Sequence, residues 1–218
     1  MVLRYMARLI APPSCVVCGD EGRVVCRRCA DGLVTPQPPL CFWCSSASPR
    51  GQTCSYCRPI IALQGLVVAS AYTGAPRELI GLLKYHRQRD AAAALAATLT
   101  PLLDSTNFDM VTSVPVATSR LRQRGYNQSE LVAKQVAHSL SLPYRPLLRR
   151  LRNTQQVGKT RQQRLSQVSG LFVARSAPPQ RILIVDDVLT TGATLNTCAI
   201  ALLAAGATEV WGAVAARD

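Results

Sequence analysis

The chain has 218 residues, with 25 Lys and Arg against 12 Asp and Glu, giving a formal net charge of +13. That length suits one sizeable core plus a small module. The basic balance points to an anionic partner: nucleic acid, a phosphorylated ligand or an acidic membrane surface. No apolar run approaches the ~20 residues of a membrane span, which excludes the helical membrane-protein class.

Residues 1–13 carry Val2, Leu3, Met6, Leu9 and Ile10 at helical spacing, interrupted by Arg4 and Arg8. A secretory signal needs about 7–15 continuous apolar residues, so a short amphipathic helix packed on its own protein is expected and the compartment reads as cytoplasmic. Thiols there stay reduced, and paired cysteines imply metal rather than disulfides.

Eight of the nine cysteines fall between residues 15 and 57, as four C-x-x-C pairs: Cys15/Cys18, Cys26/Cys29, Cys41/Cys44 and Cys54/Cys57. Each pair sets two thiolates on one turn, and two turns make the tetrahedral sulfur cage that Zn²⁺ prefers, so two structural four-cysteine sites are expected. The pairs lack ferredoxin spacing, which argues against an iron–sulfur cluster, and a redox dithiol would need only one of them. Spacing alone leaves sequential and cross-braced pairing both open. Metal would replace a core too small to fold by itself. Phe42, Trp43 and Tyr56 are read as covering the knuckles rather than stacking on bases. Arg23, Arg27, Arg28 and Arg50 would permit nucleic-acid contact.

Residues 59–63 lead out of this module. A strand is expected over residues 66–72, then a helix burying Leu79, Ile80, Leu82 and Leu83, ending at the basic run Lys84-Tyr85-His86-Arg87-Gln88-Arg89. His86 has no visible catalytic partner. An Ala-rich helix over 90–103 follows, kinked or shortened by Pro101. Residues 109–116 read as a strand stopped by Pro115, which cannot donate to a central ladder.

Residues 118–128, T-S-R-L-R-Q-R-G-Y-N-Q, read as a sharp loop before a helix over 129–140. A loop leaving the carboxyl end of a strand in a doubly wound sheet lies beside the ligand crevice. From 117 to 164 there are 11 Lys or Arg and a single acid, Glu130, so ten of the thirteen excess charges sit there. Such concentration makes a directed anion surface.

The most informative stretch is 182–194, I-L-I-V-D-D-V-L-T-T-G-A-T. Ile182 to Val185 form a continuous apolar run, the signature of a strand buried on both faces of a parallel sheet, expected to stop at Asp186 and Asp187. Thr190-Thr191-Gly192-Ala193-Thr194 then open a helix whose apolar side is Leu195, Cys198, Ala199 and Leu202. Helix N-terminal N–H groups and the dipole favour a phosphate, and the threonines add hydroxyls. The carboxylates suit sugar hydroxyls or a hard cation such as Mg²⁺. A ribose 5-phosphate satisfies both ends. No Walker lysine and no G-x-G-x-x-G array is present, so ATPase and dinucleotide-fold readings fail. A last strand is expected over 209–215, and Cys198 is read as core.

This acidic pair followed by T-T-G-A-T resembles the phosphoribosyl pyrophosphate (PRPP) motif of type I phosphoribosyltransferases. The resemblance implies ribose 2′ and 3′ hydroxyl contacts, with Mg²⁺, at Asp186 and Asp187, and a 5′-phosphate cradle at Thr190, Thr191, Gly192, Ala193 and Thr194. The string R-x-R-G-Y-N-Q after V-P, with the four C-x-x-C pairs, is similar to the ComF family of competence proteins over nearly the whole chain. That implies an α/β fold with a type I phosphoribosyltransferase-like parallel sheet flanked by helices (residues 59–218), preceded by a double zinc ribbon (residues 1–58). Pyrophosphate or DNA contact would fall to Arg120, Arg122, Arg124, Asn127, Gln128 and Arg164. In and just after the basic segment from residue 145 to 164, which the resemblance implies is a hood closing over PRPP, Gln156, Arg164, Gly170 and Phe172 fit the family, whereas Lys159 replaces Leu and Gln167 replaces Asn.

The function so implied is uptake or processing of single-stranded DNA in transformation, with a competence helicase or other DNA-processing protein as a further partner. Two alternatives belong to other classes. One is a working phosphoribosyltransferase stabilising pyrophosphate departure from an oxocarbenium-like ribose, although no general base is identifiable. The other is an interaction scaffold docking a partner through its zinc knuckles.

Overall fold

The computed structural model describes residues 12–34, 37–151 and 171–218. Four strands, β1 (Gly65–Ala71), β2 (Met110–Ser113), β5 (Arg181–Leu189) and β6 (Glu209–Arg217), form a wholly parallel sheet in the order β1-β6-β5-β2. The two central strands are the long apolar ones, since a strand buried on both faces has no solvent side to keep polar. Ile182 to Val185 are wholly buried, and their alternation divides the interior. Leu183 and Val185 join one apolar cluster, Ile182 and Ile184 the other, as the two-residue period of a strand requires.

The first cluster is roofed by α1 (Gly74–Tyr85), α2 (Ala91–Leu99) and α4 (Gln128–Ser139), through Leu79, Ile80, Leu83, Leu95, Leu99, Val132 and Val136. Leu82, expected on that face, is only half-buried. The alanines of α2 let three helices pack closely on one sheet face. On the opposite face α5 (Ala193–Ala204) and a two-stranded hairpin, β3 (Leu148–Arg150) with β4 (Phe172–Ala174), enclose Leu195, Cys198, Leu202 and Phe172. Cys198 is core, and burial holds its thiol well above the usual range.

Three expectations need correction. β5 does not stop at the carboxylates: it pairs with β6 through Leu189↔Arg217, so Asp186 and Asp187 lie within the ladder. The stretch expected as a loop contains a helix, α3 (Thr118–Arg124), closed by Gly125 at φ +78, whose N–H bonds Leu121 O. Its Leu, Arg and Gln are good helix formers, but Leu121 is exposed and no apolar face announces it. The Ala-rich helix is shortened ahead of Pro101, as expected, ending at Leu99 with Pro101 in a 3₁₀ turn. β2 is shorter than expected, Met110–Ser113, and Pro115 lies beyond its end.

The edge of β2 is covered: Val111 N donates to Pro143 O (2.9 Å) and Arg145 N to Val111 O (3.1 Å). At the other edge the second cysteine knuckle meets β1 through an antiparallel bridge, Gln52↔Gly65. Among the described residues no helix is long and apolar enough to cross a membrane.

Candidate phosphoribosyl site and metal centres

β2 pairs with β5, so the loops leaving their carboxyl ends are neighbours, at the position where parallel sheets hold ligands. Ser129, in the first turn of α4, donates its hydroxyl to Asp186 Oδ1 (2.7 Å), and Asp187 N donates to the same oxygen (2.9 Å). Burial, followed by the charge of Asp187, pushes the Asp186 carboxyl up to about 7. Asp187 Oδ2 lies 3.1 Å from Lys84 Nζ at the end of α1. That contact is an ion pair without hydrogen-bond alignment, and this oxygen is buried with no hydrogen-bond partner. The acidic pair is thus held by two helices that the sequence separates by some forty residues.

Thr190, Thr191 and Thr194 are exposed around the start of α5. Thr191 Oγ1 accepts from Ala193 N (3.4 Å), folding the loop on itself. Gly192 caps the helix at φ +75. The space its missing Cβ leaves is filled by the protein: a Cβ there would stand 2.6 and 2.7 Å from Phe42 Cδ2 and Cε2. Close approach at Gly192 is therefore made by an aromatic ring of the second cysteine knuckle.

The basic group is divided. Arg120 and Arg122 are exposed on α3. Arg124 is half-buried, donating from Nη1 to Gln128 Oε1 (2.9 Å), with its guanidinium 5.8 Å from the Tyr85 ring centroid. Asn127 is buried: its Nδ2 donates to Val114 O (2.9 Å) and its Oδ1 accepts from Ser129 N (3.1 Å), capping α4. Both polar side-chain atoms of Asn127 and the Oε1 of Gln128 thus bond protein groups and hold the turn in place. Arg164 lies outside the described residues, as do Gln156, Lys159, Gln167 and Gly170.

Sequence reasoning passes over four residues here. Lys84 is visible only as the head of a basic run, Ser129 only as a helix residue, and Phe42 only as a cover for its own knuckle. The fourth, Tyr85, is 73% exposed. Arg87 Nη2 donates to Gln123 O (3.1 Å), which brings the 84–89 run alongside α3 as one cationic surface carrying an aromatic ring.

The cysteines gather sequentially, not cross-braced: the Sγ atoms of Cys15, Cys18, Cys26 and Cys29 lie within 4.8 Å of one another, as do those of Cys41, Cys44, Cys54 and Cys57. Tetrahedral Zn²⁺ with bonds of ~2.3 Å sets sulfurs about 3.8 Å apart. Cys18 to Cys26 and Cys44 to Cys54 are both 3.6 Å. Cys26 N points at Cys15 Sγ (3.4 Å), and this backbone donor heads the causes that lower the Cys15 thiol to about 6. Hydrogen bonds from backbone N–H groups favour thiolate, the form that binds metal. Both clusters fit Zn²⁺, which would supply fold stability and no reaction step. Phe42 is buried as a cover; Trp43 (44%) and Tyr56 (85%) remain exposed.

A four-stranded parallel sheet between helices, with an acidic pair and a small-residue loop towards the end of β5, defines a phosphoribosyltransferase-type domain. The phosphoribosyl transferase domain family matches residues 127–218. Over 213 residues the chain is 31% identical to the DNA utilization protein YhgH of Salmonella typhimurium, covering 90% of this chain and 88% of that protein. It is 36% identical over 112 residues to competence protein F of Haemophilus influenzae, a match spanning 48% of this chain and about half (49%) of that protein. Against competence protein ComFC of Bacillus subtilis it is 26% identical over 194 residues, covering 84% and 79%. The chain belongs to the ComF family.

Proposed function

We propose that this chain acts in DNA uptake or utilisation, holding a ribose 5-phosphate group, as PRPP or as the 5′-phosphate end of single-stranded DNA, on residues 186–194. The observation that carries this reading is the strand–loop–helix segment itself. Two carboxylates stand near the carboxyl end of β5, and three exposed threonine hydroxyls surround the N-terminus of a twelve-residue helix. In this reading Asp186 meets the sugar hydroxyls or Mg²⁺, Asp187, buried against Lys84, supports it from within the sheet, and Thr190, Thr191 and Thr194 meet the phosphate. Single-stranded DNA tracks over Arg120 and Arg122 and the neighbouring 84–89 run, where Tyr85 offers a stacking face. Contact of this kind is phosphate-dominated and sequence-blind. The names of the relatives supply the pathway; a DNA-processing protein such as a helicase is the partner class this role requires.

Calorimetry of PRPP with Mg²⁺ tests the pocket, on the wild type and on Thr190→Val with Thr194→Val, changes at exposed positions that leave the sheet intact. Binding that falls sharply in the variant supports the reading. A wild type that ignores PRPP and 5′-phosphorylated oligonucleotides alike overturns it.

A further inference from the structure

The two cysteine clusters are not equivalent with respect to the phosphate loop. The first packs against α2: Val24 and Leu33 share the core of Leu95 and Leu99. Among the described residues, the contacts that reach the loop come from the second. Phe42, between Cys41 and Cys44, presses its ring into the Cβ position of Gly192. Cys41 and Cys57 are buried in the same cluster as Leu195 and Cys198 of α5. Asn196, in the first turn of α5, accepts with Oδ1 from Ala62 N (2.8 Å) and Leu63 N (3.3 Å), just past Cys57. A third path runs from Ser45, which follows Cys44. Its Oγ accepts from Arg217 Nη2 (3.2 Å), and the next residue, Asp218, donates its N–H to Leu189 O (3.0 Å), the last residue before the loop.

We infer that the second cluster, Cys41/Cys44/Cys54/Cys57, is the positioning device of the anion loop, with Phe42 as the positioning residue, so that metal bound there sets the loop's affinity for a phosphorylated ligand. The inference rests on the phosphoribosyl reading of residues 186–194. Its physical basis is that a knuckle of this size owes its shape to the cation drawing four thiolates together. Without the cation the turn carrying Phe42 relaxes. Gly192, at φ +75 and with open space where the ring stood, then has nothing holding the loop in a single conformation. A loop that must order itself on binding does so at lower affinity. Linkage makes the effect mutual: a ligand that favours the ordered loop raises the metal affinity of the second cluster by the same factor and leaves that of the first unaffected.

The test compares Cys18→Ser with Cys44→Ser in the full chain, reading zinc per chain, PRPP·Mg²⁺ affinity by calorimetry and hydrogen exchange of the peptide spanning residues 190–196. Both variants should lose one zinc, and only Cys44→Ser should lose ligand affinity, by about tenfold or more, with faster exchange in the loop. Phe42→Leu should retain both zincs and still weaken binding, and it stands in for Cys44→Ser if that variant does not fold. Equal effects of the two cysteine variants, or unchanged affinity and exchange in both Cys44→Ser and Phe42→Leu, would overturn the inference. If the wild type binds no PRPP, the functional reading falls and the exchange comparison still decides the coupling.

Discussion

Lys84 Nζ lies 3.1 Å from Asp187 Oδ2 with side-chain exposures of 17% and 7%, an ion pair joining the end of α1 to the ligand end of β5. Its charge partly offsets, at Asp186, the repulsion from the adjacent Asp187 carboxylate. Lys84 therefore fixes both the charge and the geometry of the candidate ribose site before any ligand arrives.

Removing the lysine leaves Asp187 buried and unpaired. Lys84→Met should destabilise the protein by about 3 kcal/mol, the usual consequence of breaking a buried pair from one side. Lys84→Met combined with Asp187→Asn should recover most of that loss. Urea denaturation of the two variants measures it, and equal losses would mean that the lysine contributes through packing alone.

Because Asp186 is raised to about 7, the folded protein retains a proton between roughly pH 4 and 7 that the unfolded chain releases near its ordinary value of ~3.9. The stability of the ligand-free protein should thus fall as pH rises from about 4 to about 7 and level off above it, and Asp186→Asn should flatten that slope. Thermal melts across this window read it directly. Slopes that coincide would show that the carboxyl titrates normally.

Asn127 bridges the end of β2 and the start of α4 through Val114 O and Ser129 N. Asn127→Ala removes a helix cap worth about 1 kcal/mol and strands a buried carbonyl at a further cost of about 1 kcal/mol. A shift in urea midpoint equivalent to about 2 kcal/mol is expected. Asn127→Ser, which keeps the cap but loses the donor to Val114 O, should fall between wild type and Asn127→Ala.

On the cationic surface the charge and stacking contributions separate. Arg120→Ser with Arg122→Ser should reduce the salt dependence of single-stranded DNA binding by a log–log slope of about 1.4. Tyr85→Ala should weaken binding by about 1–3 kcal/mol with the slope retained, and Tyr85→Phe should leave it near wild type. Fluorescence anisotropy at several salt concentrations distinguishes these, and a Tyr85→Ala curve overlying the wild type would remove stacking from the account.

The sequence by itself determined the buried core strand, the acidic pair, the small-residue loop and the eight thiols, because each is encoded by neighbours along the chain. A continuous Ile182–Val185 run reads as a strand covered on both faces, and C-x-x-C presents two sulfurs on one turn. It could not determine what depends on elements distant in the chain. Sequential cluster pairing was settled by how the N-terminal turns pack, whereas the Lys84–Asp187 and Ser129–Asp186 contacts and the Phe42 ring behind Gly192 depend on how the sheet order β1-β6-β5-β2 brings separate elements together. α3 escapes notice because it buries no apolar stripe, so its helical period leaves no hydrophobic trace. Asn127 and Gln128 look like ligand donors in one dimension. In three dimensions both polar side-chain atoms of Asn127 and the Oε1 of Gln128 bond within the protein, as buried polar groups generally do.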